Sequence, residues 1–169
     1  MSCTQTLGGI LRDCAPSMGG IAEAYIANFT DVTKVELTED KISAITADGK
    51  FKPYSFRKET SQFTSTLQKN IQNGTTYVST DINLVFNRME TAKRIEVAAL
   101  ALGELVVIIK DNNGIYWYFG YDEPVVQTAG DGQTGTARAD RNGYSVTLQD
   151  NAKTYPFEVE PSIIDALIG

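Results

Sequence analysis

Between Asn87 and Gly103 the apolar spacing of the chain changes, and this one change limits the folds open to it. Met89, Ala92, Ile95, Ala99 and Leu102 recur every three or four residues, the period of one face of an α-helix. Glu90, Lys93, Arg94 and Glu96 fall mostly outside that stripe. Asn87 stands where an N-cap would, and Glu90 follows it at capping-box spacing. Ala98, Ala99, Leu100 and Ala101 have high helix propensity, and Gly103 is placed to end the helix. A helix over residues 90–102 is therefore expected, with the Met/Ala/Ile/Leu stripe turned inward. On that basis Ile95→Asp should bury an unpaired charge and destabilise the fold severely.

The rest of the chain is strand-forming. Ile21 to Asn28, Val32 to Leu37 and Lys41 to Ala47 are short apolar pieces, and an Asp48-Gly49 turn leads into Phe51 to Arg57. Pro53 marks that last piece as a sheet edge or a strand start, because proline donates no ladder hydrogen bond. Phe63 and Leu67 punctuate a Ser/Thr/Gln-rich run, and Asn73-Gly74 is a hairpin turn signal. Beyond it Val78, Thr80, Ile82, Leu84 and Phe86 alternate with polar residues, which places them on one strand face. After the helix, Leu105 to Lys110 and Ile115 to Tyr121 flank Asp111-Asn112-Asn113-Gly114, another hairpin signal. Val125 to Thr128 continues the sheet, a glycine-rich loop spans Gly130 to Gly135, and a strand runs from Tyr144 to Gln149. Glu160-Pro161-Ser162 opens a short C-terminal helix holding Ile163, Ile164, Leu167 and Ile168. The expected fold is mainly β, a sandwich or barrel of antiparallel strands with one flanking helix. Residues 1–19, with Gly8-Gly9, Pro16 and Gly19-Gly20, form an irregular arm. Residues 20–169 form a single domain, with an extended hairpin over about 56–86 and a C-terminal segment over about 155–169.

Composition narrows the chemistry. The 169 residues include no histidine, which removes the commonest general base, the partner of serine and cysteine nucleophiles, and the commonest metal ligand. The formal net charge is −6, and an acidic chain lacks the basic footprint of a specific nucleic-acid binder. Cys3 and Cys14 are the only cysteines, read as reduced thiols in a cytoplasmic product. No apolar run approaches the roughly 20 residues of a membrane span, and the start of the chain has no basic-then-apolar leader pattern. A chain made in the cytoplasm and without a membrane partner is expected.

The remaining motifs give no catalytic constellation. Gly130, Gly132 and Gly135 spell the dinucleotide fingerprint, but turn formers and a strand follow where a helix should receive the pyrophosphate. They are read instead as a flexible or assembly loop. Asp111-Asn112-Asn113-Gly114 lacks the spacing and final Glu of a calcium loop. Tyr116, Trp117, Tyr118, Phe119 and Tyr121 are read as sheet core and cross-strand pairs. No enzyme activity, cofactor or metal is expected.

The order of elements, with Phe56-Arg57-Lys58, Phe63 to Leu67, Asn73-Gly74-Thr75, Arg94 to Gly103, Val107 to Gly120 and Gly132 to Tyr144, resembles the virion structural proteins of tailed phages and prophages of gut Bacteroidetes, of the tail tube kind. The resemblance implies a β-sandwich or barrel with a flanking helix, found in the virion tail after synthesis in the host cytoplasm. Its implied partners are copies of itself in six-fold rings, other tail or neck proteins, and DNA that passes through the channel without sequence-specific binding. The polar hairpin suits extension into a shared inner barrel. The assembly residues expected are Phe63, Thr64, Leu67, Asn73 and Gly74 on the hairpin and Gly130, Gly132 and Gly135 in the loop. A neck connector, tail terminator or tail hub is the near alternative, and a small ligand-binding β-barrel the distant one.

Overall fold

The computed structural model describes residues 4–168. The first strands are β1 (Ile21–Asn28), β2 (Val32–Thr38), β3 (Lys41–Ala47) and β4 (Lys52–Ser55). A long hairpin follows, β5 (Gln62–Asn70) and β6 (Thr75–Asn87), and then helix α1 (Thr91–Leu102). The chain continues through β7 (Leu105–Asp111), β8 (Tyr116–Phe119), β9 (Val126–Gln133) and β10 (Gly143–Ala152). It ends with β11 (Phe157–Val159) and the single-turn helix α2 (Ile164–Leu167). Two sheets result, a seven-stranded one in the order β2-β3-β11-β8-β7-β1-β4 and a four-stranded one in the order β5-β6-β10-β9. All strand pairs are antiparallel except β11 with β3. The architecture is sandwich-like and is not a closed barrel.

The centre of the molecule is β7. Its first five residues, Leu105 to Ile109, form an unbroken run of large aliphatic side chains, and all five are buried. A strand with one wet face alternates apolar and polar residues; a continuous run means that both faces are covered. Leu105, Val107 and Ile109 face the four-stranded sheet and pack with Ile82, Leu84, Val146 and Leu148. Val106 and Ile108 point the other way, into a second cluster with Tyr25, Ile42, Phe51, Ile164 and Leu167. Helix α2 thus caps the far face of the large sheet, and the Phe51 N–H bonds to the Leu167 carbonyl at 2.8 Å. Each such side chain contributes about 1.5–3 kcal/mol on burial.

Helix α1 exists where the sequence period places it, but its orientation differs. The buried residue is Leu100, with Lys93 and Val97 half-buried on the same side. Ile95 is 54% exposed and Leu102 is 92% exposed, and Met89, Ala92 and Ala99 are exposed too. The stripe expected to face inward therefore faces solvent. The two patterns interleave on the same helix, and the inward one is weaker in hydropathy because a lysine occupies one of its places. Lys93 is tolerated there because its ammonium reaches out to the Asn87 carbonyl and to Glu90, at 2.5 and 3.2 Å. Nor does Asn87 cap the helix. It is the last residue of β6, and the N-cap is Glu90, whose side chain makes no capping hydrogen bond.

Two further differences concern the sheets. The segment Gly130 to Gly135, expected as a loop, contributes Gly130 and Gly132 to β9, where they pair with Val146 and Tyr144 of β10. At Gly143, the backbone of Phe86 and Asn87 fills the space a Cβ would need, so only glycine lets β10 lie this close to β6. Strand β11 is paired between β3 and β8 and has no counterpart in the sequence reading.

In urea unfolding, Leu100→Ala should lose about 2–4 kcal/mol, as large-to-small core changes do. Ile95→Asp should stay within about 0.5 kcal/mol of wild type, as exposed substitutions do. A large loss for Ile95→Asp and none for Leu100→Ala would show that the helix packs by the other face.

Candidate functional site

The four-stranded sheet has two unlike faces. Toward the core it presents Val78, Ile82, Leu84, Val146 and Leu148, all buried. The opposite face, by strand alternation, carries Gln62, Thr64, Thr66 and Gln68 of β5 with their partners Asn83, Asp81, Ser79 and Tyr77 of β6. Ser145, Thr147, Gln149 and Asn151 continue it on β10, and Ala129 and Asp131 on β9. Hydroxyls and amides make up most of this surface, with Val85 beside Ser145 and Ala129 beside Thr147. Thr147 donates to Asn83 Oδ1 at 2.8 Å and Gln149 Nε2 to Ser79 Oγ at 3.4 Å, so its polar groups are partly tied to one another. Asp81 and Asp131 are its carboxylates, and Arg141 sits 3.3 Å from Asp131. No lysine is among these strand residues.

Both edges of this sheet are open among the described residues, since β5 and β9 are its outer strands. Three antiparallel pairings separate them, so they run antiparallel to each other. A β9 edge from one copy can therefore meet a β5 edge from the next and continue the antiparallel alternation. Exposed edges of this kind invite pairing with another chain.

The hairpin extends past the sandwich. From Thr66 to Tyr77 every residue is exposed, including Leu67 at 47% and Ile71 at 85%. Asn73 and Gly74 form its tip, where the Asn73 N–H bonds to Asn70 Oδ1 at 3.0 Å and Gly74 has φ +67°. Thr64 lies on the polar outer face. Phe63 points the other way, packing edge-on against Phe119 with ring centroids 5.0 Å apart, so it holds the base of the hairpin to the core. Gly135 lies in the turn after β9, where Asp140 accepts the N–H groups of Thr136 and Ala137 at 3.0 and 2.8 Å. The structure thus gathers Thr64, Gly130 and Gly132 on one sheet and leaves Asn73 and Gly74 at the distant tip.

Two features are absent from the sequence reading. The asparagines of the β7–β8 turn hold the N-terminal arm: Asn112 Nδ2 donates to the Gly19 carbonyl at 2.5 Å, and Asn113 Oδ1 accepts from the Met18 N–H at 2.8 Å. No local signal marks this contact, which joins residues far apart in the chain. The other is Asp150, on the core side of β10 and only 4% exposed. Burial pushes its carboxyl up to about 6, and the nearby Asp122 and Glu123 push the same way. The N–H groups of Gly120 and Asn151 oppose the shift, while Oδ1 has no hydrogen-bond partner. Its polar identity breaks the apolar alternation of Val146 and Leu148, the one clue the sequence offers.

Cys14 is an exposed free thiol, and Cys3 lies outside the described residues. Among the described residues, no three Cys, Asp or Glu side chains gather as a metal site. The fold and this surface define a two-sheet β-protein whose four-stranded sheet has a polar outer face and two open edges. No family model, curated protein or solved structure matches the chain.

The raised Asp150 pKa fixes the sign of a pH effect. The folded state holds this proton more tightly than the unfolded chain, whose aspartate titrates near about 3.9. Its contribution is intact below about pH 4 and is lost as pH rises through about 6, a difference of about 3 kcal/mol. Asp150→Asn should therefore raise the melting temperature at pH 8 and change it little at pH 4. Equal effects at both pH values would show that the carboxyl is not the cause.

Proposed function

We propose that this chain is a structural protein that closes into rings, with the polar face of the four-stranded sheet lining a channel, as in the tail tube of a tailed phage. The observation that carries this reading is the pair of open edges, β5 and β9, antiparallel to each other on one sheet. A contact between different edges of identical copies is heterologous, and a heterologous contact that closes by rotation makes a ring. Pairing around that ring covers the edges that the isolated chain leaves open.

The chemistry of the polar face suits passing DNA. Its hydroxyls and amides can give phosphates only neutral hydrogen bonds, Arg141 is paired with Asp131, and the net charge of −6 repels phosphates at long range. The genome would slide, because tight phosphate contacts need lysine and arginine. The projecting hairpin, with Leu67 and Ile71 exposed, is long enough to reach a neighbouring copy or ring. A neck connector, terminator or hub would use the same edges, and the position of the chain in a particle separates these.

Electron microscopy of the purified protein should show rings or short tubes, and a strict monomer at high concentration would refute the proposal. Gln62→Lys with Ala129→Lys puts a cation on each edge, in the same row of the outer face, so that joining the edges along that row brings like charges together. This double variant should melt like wild type and assemble at least ten-fold more weakly. Deleting the hairpin tip, residues 71–74, should likewise spare the monomer fold and impair assembly.

A further inference from the structure

Residues 4–20 contain no helix or strand, and all of them are exposed. The root of this arm is nonetheless fixed. Besides the Asn112 and Asn113 bonds to Gly19 and Met18, Asn113 Nδ2 reaches Ser17 Oγ at 3.3 Å. Beyond the root, Leu7, Ile10 and Leu11 are 89%, 100% and 92% exposed. A single leucine in water is ordinary, but three large aliphatic side chains within five residues, each almost fully exposed, leave burial unrealised.

A matching receptor lies elsewhere on the same molecule. Between α1 and β4, the outer strand of the large sheet, runs an open groove of about 490 Å³. Pro53, Tyr54, Phe86, Val97 and Leu100 give it an apolar lining. Glu96 stands at its rim, accepting from the Tyr54 hydroxyl at 3.0 Å, beside Lys93.

We propose that the arm of one copy docks through Leu7, Ile10 and Leu11 into the α1–β4 groove of a second copy. This rests on the self-assembly argued above and adds a second joint to it. The charges match at one point: Arg12 directly follows Leu11, offering a cation to the Glu96 carboxylate at the groove's rim. The reach is sufficient, since the residues from Leu7 to Ser17, when fully extended, can span up to about 33–36 Å from the clamp, more than twice the roughly 15 Å radius of gyration of such a domain. The chain exposes 11114 Å², whereas a compact monomer of 18.5 kDa exposes about 8,200 Å², so the whole chain, arm and hairpin included, carries a surplus of about 2,900 Å² over a compact monomer. Each copy has one arm and one groove, so the contact is heterologous and can pass from copy to copy around a ring.

The test uses two chains that both contain Cys3→Ser and Cys14→Ser, one with Ile10→Cys and the other with Ala92→Cys, mixed and oxidised. Disulfide-linked pairs of unlike chains should outnumber like pairs at least ten-fold. Adding Leu7→Asp and Leu11→Asp to the arm should abolish that excess without moving the melting temperature, since both residues are exposed in the single copy. Unlike pairs no more frequent than like pairs would overturn the docking. So would a chain carrying both Ile10→Cys and Ala92→Cys that links only within itself, because the arm would then fill its own groove. Rings that form undiminished with Leu7→Asp and Leu11→Asp would overturn arm docking and leave edge pairing intact. A wild-type chain that never associates would overturn both.

Discussion

The burial of β7 on both faces is the constraint on which the rest of the molecule depends. Leu105, Val107 and Ile109 need cover on one side, and Val106 and Ile108 need it on the other. The four-stranded sheet supplies the first cover and the C-terminal segment with α2 the second. Neither could be removed without exposing a row of aliphatic side chains next to water. The antiparallel neighbours β1 and β8 hold β7 in register on both sides, so its hydrogen bonds are satisfied within the sheet. The outer strands are then free to differ from the core in character.

That freedom appears most clearly in the four-stranded sheet. Its inner face is fixed by packing against β7, whereas its outer face and edges are under no such demand within one copy. A sheet that needed only to fold could end in short or charged edge strands. Here β5 is nine residues long, continues past the core into an exposed hairpin, and ends in a tip without packing partners of its own. The same holds for the arm, whose root is clamped by two asparagines while its aliphatic residues stand in water. The proposed self-assembly would cover the edges, the hairpin and the arm through one cause.

Legibility in the sequence followed the locality of each interaction. Strand β1 was readable to its ends, and β6 by its alternating face, because the side chains of a strand report directly on the two sides of a sheet. The DNNG turn was readable for a similar reason: its geometry is set within a few residues, and Asp111 Oδ1 accepts the N–H groups of Asn113 and Ile115. Helix α1 was readable as a helix but not in orientation. Two apolar stripes share it, and the choice between them is made by where Val97 and Leu100 meet the inter-sheet core. Strand β11 was too short to carry a period, and its pairing with β3 joins opposite ends of the chain. Of the assembly residues, Thr64 and the hairpin tip fell on exposed surface as the sequence suggested. Phe63 faced inward because strand parity puts it opposite Ile82.

By itself, then, the sequence determined a β-rich chain with one substantial helix between strands, no histidine chemistry, an acidic balance and a long polar hairpin. The composition is beyond any tertiary contact to alter, and the helix, the strands and the hairpin turn are marked by spacing within single segments. Only the tertiary structure decided which helix face is wet, that Gly130 and Gly132 lie in an edge strand, that Asp150 is buried among apolar neighbours, and that the arm is held by a distant turn. Each of these depends on contacts between segments far apart in the chain, and a periodicity read along a single segment does not contain them.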